Sequence, residues 1–263
     1  MLVEQIWTGN AYRNYNYLIA CPHTGEAIAI DPLESKMCFD KAKENGWDIT
    51  KILNTHEHGD HTGGNINLSN LTGAKVMAHK GATGNIPGMS VSLSEGDIIK
   101  VGKELELEVL DTPGHTMTHI CLLSKTDKPA LFSGDTLFNA GAGNCHNGGH
   151  PEHLYETFYN QFKNLPETTL IYPGHDYLEN NLEFTLDREP NNKYAEELLN
   201  SIKNNSESGN VITNLEMEYN INTFFRLSSS TIIERLRYNF PELPSSPSQK
   251  EVFLLLRQLR NKW

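Results

Sequence analysis

Long apolar runs are missing from this 263-residue chain. No stretch approaches the roughly eighteen apolar residues that a membrane-spanning helix needs, so a helical membrane protein is not expected. The start, MLVEQIWTGN, has neither the basic opening nor the apolar centre of a signal peptide, and the cytoplasm is the expected location. Cysteine is scarce: Cys21, Cys38, Cys121 and Cys145 lie far apart and form no CxxC pair, which argues against a disulfide framework or a cysteine-rich zinc site. They read as reduced thiols. Positive charge is also short, with 22 Lys and Arg against 33 Asp and Glu and a formal net charge of −11. Such a surface repels a phosphate backbone, which counts against nucleic acid as a partner. The exception is local. From Arg226 to Trp263 there are seven Lys or Arg and three Glu, a balance of +4 that leaves −15 for the rest. This basic end either pairs with the acidic body or forms a site for an anionic ligand.

What is present is enough apolar material, 38% of residues, for one large core or a core with a smaller appendage. The texture changes near residue 175. Before it, the runs YNYLIA (15–20), EAIAI (26–30), KILNT (50–54), ELELEVLDT (104–112), HICLLS (119–124) and TLIYP (169–173) read as strands. After it the pattern is helical, in YLENNLEFTLDRE, YAEELLNSIKNN, TIIERLRYNF and SQKEVFLLLRQLRNKW. In the last of these, Ser248 and Glu251 form a capping box, and Val252, Leu255, Leu256 and Leu259 make one apolar stripe. NNSESGN (204–210) and PELPSSPSQ (241–249) read as exposed connections. The expected class is α/β, with a helical second domain; the division falls at 1–175 and 176–263.

The most concentrated chemistry is THEHGDHTGG, residues 55–64, in which three histidines, an aspartate and a glutamate occupy seven positions just after a strand-like run. Imidazole and carboxylate suit a borderline divalent metal. His56 and His58 can share one ion while Asp60 and His61 turn to a second. Three further pieces follow strand-like runs: TPGHT supplies His115, SGDT supplies Asp135 and YPGH supplies His175. One histidine is more often a satisfied polar group than a ligand; six donors added to His56 at strand ends are not.

With these residues in place, the chain resembles the metallo-β-lactamase superfamily. THEHGDH matches its THxHxDH signature, and His115, Asp135 and His175 follow in its order and spacing. The resemblance implies an αββα sandwich with two metal ions at one edge. His56, His58 and His115 would hold the first, Asp60, His61 and His175 the second, and Asp135 both. Asp60 and Asp135 would be the catalytic carboxylates. Zinc, iron and manganese all suit such donors. Flavodiiron relatives also carry a glutamate inside this motif, but there it replaces the second histidine, whereas here Glu57 comes beside an intact His58. Asp31 matches an aspartate behind the ligands, or else caps a turn before Pro32.

A longer resemblance is to glyoxalase II, the hydroxyacylglutathione hydrolases, through GDTLFNAGAG (134–143), PGHDYLENN (173–181), the EP at 189–190, NTFFR (222–226) and LRQLRNKW (256–263). It implies hydrolysis of S-D-lactoylglutathione to D-lactate and glutathione in methylglyoxal detoxification. Arg257 and Arg260 would grip the glycine carboxylate of the thiol, and Tyr177 would touch the tripeptide. One stretch departs from the pattern: where the family carries a lysine and, two residues on, a tyrosine, this chain has Asn144 and His146 around Cys145. These two are expected to contact the thiol, and another thiol than glutathione stays open. Cys145 reads as a loop residue, and His79, His119, His150 and His153 as structural or surface residues. The alternatives are a thioesterase for a different thiol, a persulfide dioxygenase of the same fold, and a metal-binding scaffold without catalysis. A small-molecule thioester is the expected partner, with no nucleic acid, no membrane and a monomer favoured.

Overall fold

In the computed structural model, which describes residues 1–204 and 211–263, the strands form two six-stranded sheets packed face to face. The first is β1 (Leu2–Trp7), β2 (Tyr15–Ala20), β3 (Glu26–Ile30), β4 (Asp48–Leu53), β5 (Lys75–His79) and β6 (Met89–Leu93), in that spatial order. Its first three strands are antiparallel neighbours and the rest pair in parallel. The second is built from β7 (Ile98–Val101), β8 (Leu105–Asp111), β9 (Ile120–Ser124) and β10 (Ala130–Gly134), beyond which the short hairpin β11 (Leu137–Phe138) and β12 (Gly141–Ala142) stands apart. It is completed by β13 (Leu170–Pro173), parallel to β10, and the two-residue edge strand β14 (Thr213–Asn214).

Strand alternation sorts the core. Tyr17, Ile19, Ile28 and Ile30 point between the sheets, where they meet Leu107, Val109, Leu122 and Phe132. Their neighbours Leu18, Ala20, Ala27 and Ala29 point outward against α1 (Ser35–Glu44) and α3 (Asn65–Thr72). Between those helices in sequence, α2 (Gly59–Thr62) is a single turn. The second sheet's outer face, with Cys121, Leu123, Leu131 and Ile171, packs on α4 (Pro151–Asn160) and on the C-terminal helices. These are α5 (Leu178–Arg188), α6 (Lys193–Asn204), α7 (Leu215–Ile221), α8 (Ser230–Asn239) and α9 (Gln249–Arg260). Both faces of both sheets are therefore covered, and the strands read as nearly unbroken apolar runs for that reason.

Two expectations need correction. The stripe of α9 is Val252, Phe253, Leu256 and Arg257, with Leu255 and Leu259 only partly buried, because the helix lies between α4 and α8 and is covered on more than one side. The stretch after residue 175 is not all helix, since β14 adds an edge to the second sheet. Residues 205–210, most of the predicted connection NNSESGN, lie outside the described residues. Among the described residues no helix is long and apolar enough to cross a membrane.

Candidate metal centre

The ends of β4, β8, β10 and β13 lie along one edge of the sandwich, and the chain leaves each of them through one of the four motifs. After β4, Asn54 and Thr55 are wholly buried, and Asp31, which follows β3, fixes Thr55: its Oδ1 accepts the Thr55 N–H at 2.8 Å and its Oδ2 the Thr55 hydroxyl at 2.7 Å. Asp31 does this from a left-handed backbone conformation, φ +48°. Two glycines are forced here by close approach. A Cβ on Gly64 would sit 1.8 Å from the Pro32 carbonyl oxygen, and one on Gly143 would sit 1.8 Å from the Asp135 carbonyl oxygen.

Five imidazoles meet at this edge, and each has one nitrogen held by an acceptor. His115 Nδ1–H donates to the Asn144 carbonyl at 2.7 Å, His175 Nδ1–H to the Tyr12 carbonyl at 2.7 Å and His58 Nε2–H to the Asn147 carbonyl at 3.0 Å. His61 Nδ1–H donates to Asp31 Oδ2 at 3.0 Å. The Thr55 hydroxyl spends its hydrogen on Asp31, so it accepts from His56 Nδ1–H at 3.0 Å. A carbonyl or carboxylate cannot donate, so these partners choose the tautomer of each neutral ring and leave the lone pair of its other nitrogen to face a cation.

Those lone pairs converge in two sets. His56 Nε2 and His115 Nε2 each lie 3.0 Å from His58 Nδ1. His61 Nε2 lies 3.2 Å from His175 Nε2, and both are 3.5–3.6 Å from Asp60 Oδ2. Asp135 lies across the two sets: Oδ2 is 3.6 Å from His115 Nε2 and 3.1 Å from His175 Nε2, while Oδ1 is 3.5 Å from His61 Nε2. Lone pairs packed this closely repel unless a cation sits among them. Asp135 Oδ1 is moreover fully buried with no hydrogen-bond partner, an orphan that a cation would satisfy. The residues present fit divalent metal. Asp31 also falls within ligand distance of His56 and His61, but its oxygens already accept from Thr55 and His61, so it stands behind the donors.

The electrostatics agree. Burial, with neighbouring imidazoles adding to it, pushes His56 and His115 below the ordinary histidine range, toward the neutral form that a metal requires. For His61 burial acts in the same direction, but the carboxylates of Asp135 and Asp31 outweigh it and raise the pKa. The charge that favours a proton on His61 also favours a metal ion. Burial would raise Asp135, yet His175 and His61 beside it hold the carboxyl well below the usual carboxylate range.

Other residues take places the sequence did not announce. His119 is buried against the ring of His56, centroids 5.1 Å apart, and its Nε2 accepts the Asp135 N–H at 3.1 Å. Asn14 donates to Asp60 Oδ2 at 3.1 Å. The signal for His119 was its position four residues after His115, just before β9. Asn14 had none, because its contact spans 46 residues. Glu57 points away from the convergent donors and accepts hydrogen bonds from Thr116 and Thr118 at 3.0 and 2.8 Å, tying two motif loops together. His79 and His150 cap the starts of helical turns, and His153 is exposed. Cys145 is half-buried against the helical core, where burial pushes its thiol up to about 11.

Beside the donors opens a cleft of about 590 Å³ lined by Phe138, Asn144, His146, Tyr177, Arg257 and Arg260. Tyr177 stacks on the His175 ring with centroids 5.1 Å apart, so the cleft borders the second donor set directly. The five residues expected to touch substrate are thus brought together. They differ in freedom: Asn144 and His146 are exposed, whereas Arg257 is 4% exposed.

A sequence profile of the metallo-beta-lactamase superfamily matches residues 11–175, and one described as the hydroxyacylglutathione hydrolase C-terminus matches residues 176–263. The chain is 59% identical over 263 residues to a hydroxyacylglutathione hydrolase of Polaromonas sp. strain JS666, covering all of both chains. The same identity and coverage relate it to a hydroxyacylglutathione hydrolase of Nitrosococcus oceani. Among solved structures it is similar to ETHE1 from Myxococcus xanthus, with a TM-score of 0.68, 27% identity and coverage of 93% of this chain and 92% of that one. It shares its fold with TTHA1623 in a di-iron-bound form, at a TM-score of 0.59, 22% identity and coverage of 85% and 100%.

Proposed function

Because the chain belongs to the hydroxyacylglutathione hydrolases of the metallo-β-lactamase superfamily, we propose that its cleft and donor cluster work together as a thioesterase site. It is a divalent-metal enzyme that hydrolyses the thioester of a hydroxyacylglutathione. The substrate we assign is S-D-lactoylglutathione, the thioester of methylglyoxal detoxification, and the products are D-lactate and glutathione. Two ions are assigned, zinc, iron or manganese, which His56, His58 and His115 and Asp60, His61 and His175 would hold, with Asp135 a candidate ligand to either. We place the catalytic part at 1–175 and the substrate-binding helical part at 176–263, in a cytoplasmic and monomeric enzyme.

Such ions, when bound, supply an acidified water at neutral pH and a Lewis acid for the carbonyl. The chain's own groups do the rest. Outer acceptors fix the orientation of five imidazoles so that one nitrogen of each is aimed at the ions, and the carboxylates Asp60 and Asp135 orient the attacking water. Tyr177, Asn144, His146, Arg257 and Arg260 bind the thiol part, the arginines offering a carboxylate those guanidinium N–H groups that the protein does not use. The carbon–sulfur bond breaks as the carbonyl carbon takes the water's oxygen. A thiolate with a pKa of about 8.5 leaves without a strong general acid.

The observation that carries this reading is the position of Asp135 across two convergent donor sets beside a cleft with two arginines. The test is a panel of thioesters sharing one acyl group and differing in the thiol, assayed with and without chelator and with Asp135→Ala. We expect S-lactoylglutathione to be preferred, activity to vanish on chelation, and Asp135→Ala to lose metal as well as rate. Turnover by a metal-free preparation would refute the mechanism, and preference for a thiol without carboxylates would refute the substrate.

A further inference from the structure

Arg257 is buried, and among the described residues no carboxylate pairs with it, a costly place for a cation unless other groups repay its lost hydration. Backbone carbonyls do so. Its Nη1 donates to the Ala142 carbonyl at 2.7 Å and the Gly143 carbonyl at 3.0 Å, and its Nε to Asn261 Oδ1 at 3.1 Å. One nitrogen, Nη1, thus serves two successive carbonyls while Nε on Asn261 fixes the plane of the guanidinium, a second anchor that a lysine lacks. The very next carbonyl, that of Asn144, accepts from His115 Nδ1, and the Asn147 carbonyl three residues on accepts from His58 Nε2. Upstream, the same run is held by other groups of the helical part: Asn181 Nδ2 donates to the Asn139 carbonyl at 2.9 Å, Glu218 accepts the Ala140 N–H at 3.0 Å, and Asn222 Nδ2 donates to the Gly141 carbonyl at 3.1 Å.

We propose that Arg257 is a positioning residue for the metal ligands, holding the 142–144 backbone from α9 so that the Asn144 and Asn147 carbonyls stay on His115 and His58. This rests on the assignment of those histidines as ligands and goes beyond a role in gripping substrate. The run 139–147 is a strut between the helices and the first metal, so α9 sets ring orientation as well as thiol affinity. Arg260 touches the strut only through Asn181, at its Asn139 end and away from the carbonyls on His115 and His58. It is anchored by Nη2 on the side chains of Asn180 and Asn181 and reaches no backbone carbonyl of the strut.

The experiment measures Zn²⁺ affinity of the full chain by chelator competition, with kcat and KM on S-lactoylglutathione alongside. Loss of an outer-shell partner typically costs about 10- to 100-fold in metal affinity. We expect Arg257→Met to weaken one of two Zn²⁺ ions by about that factor and to lower kcat. Arg260→Ala should raise KM and leave both Zn²⁺ affinities in place. If Arg257→Met does not fold, Asn261→Ala loosens the guanidinium through an exposed partner, and a smaller loss of Zn²⁺ affinity is expected. A wild-type chain binding two Zn²⁺ with Arg257→Met, or Asn261→Ala in its place, binding them equally tightly overturns the inference alone. A wild-type chain that binds no Zn²⁺ overturns the ligand assignment on which it rests.

Discussion

Asn144 and His146 are the two side chains that distinguish this cleft from the lysine and tyrosine of the family pattern, and both line it from exposed positions. Asn144 uses its backbone carbonyl on His115 and its side chain on the His146 N–H at 3.2 Å, so a longer side chain here leaves the ligand contact in place. A lysine would add a charge-assisted bond to a substrate carboxylate, screened by solvent and worth about 1 kcal/mol. The double change Asn144→Lys with His146→Tyr should therefore lower KM for S-lactoylglutathione by about 5-fold at constant kcat, at 1.4 kcal/mol per decade. Steady-state kinetics decide it. An unchanged KM would mean that Tyr177 and the arginines alone set thiol affinity.

Among the elements, the end of α5 shows why EP and NTFFR occur together in the sequence. Glu189 is buried and receives Arg226 Nε at 2.6 Å and Nη2 at 2.9 Å, the Ser229 hydroxyl at 2.6 Å and Asn192 Nδ2 at 2.9 Å. Pro190 then ends the helix, and the carboxylate ties α5 to the start of α8. Burial would raise this carboxyl, but Arg226 and the two polar donors outweigh it and lower its pKa. A lowered carboxyl stabilises above its unfolded pKa and loses that contribution as pH falls through the folded value. Removing one partner of a buried pair costs about 3–5 kcal/mol, and Arg226 is partly exposed, so Glu189→Ala should cost about 2–3 kcal/mol. Urea unfolding at pH 7 measures this directly; a loss below about 0.5 kcal/mol, the range of ordinary surface changes, would show that the pair is only decorative.

Across the whole molecule, Glu218 of α7 reaches the β11–β12 turn and accepts the Ala140 N–H, the Thr213 hydroxyl and the Asn222 amide. Burial pushes its carboxyl up to about 7 although those donors oppose the rise. With the folded value above the unfolded one of 4.5, its contribution is fully present below pH 4.5 and is lost as pH rises through 7. The loss is at most about 3 kcal/mol at 1.36 kcal/mol per pKa unit. Between pH 4.5 and 8 the wild type should thus lose ground to Glu218→Gln in thermal or urea unfolding, whatever the other groups contribute to both. Parallel stability–pH curves for the two proteins would refute the buried titration.

The donors, the family and the layer order were legible because they are local. A strand followed by HxHxDH, or by a lone His or Asp at its end, is a contiguous pattern, and short, nearly unbroken apolar runs announce a sheet covered on both faces. Arg257 and Arg260 were equally visible as a basic pair on one amphipathic helix. Their difference was not, because it depends on which carbonyls lie opposite, and those belong to a loop more than a hundred residues earlier. The same holds for Asn14 on Asp60 and for His119 behind Asp135. Residue type and spacing determine which atoms can bind a metal or a carboxylate. Only the packing of β-sandwich on helices decides which of those atoms keep a free lone pair and which are spent holding the others in place.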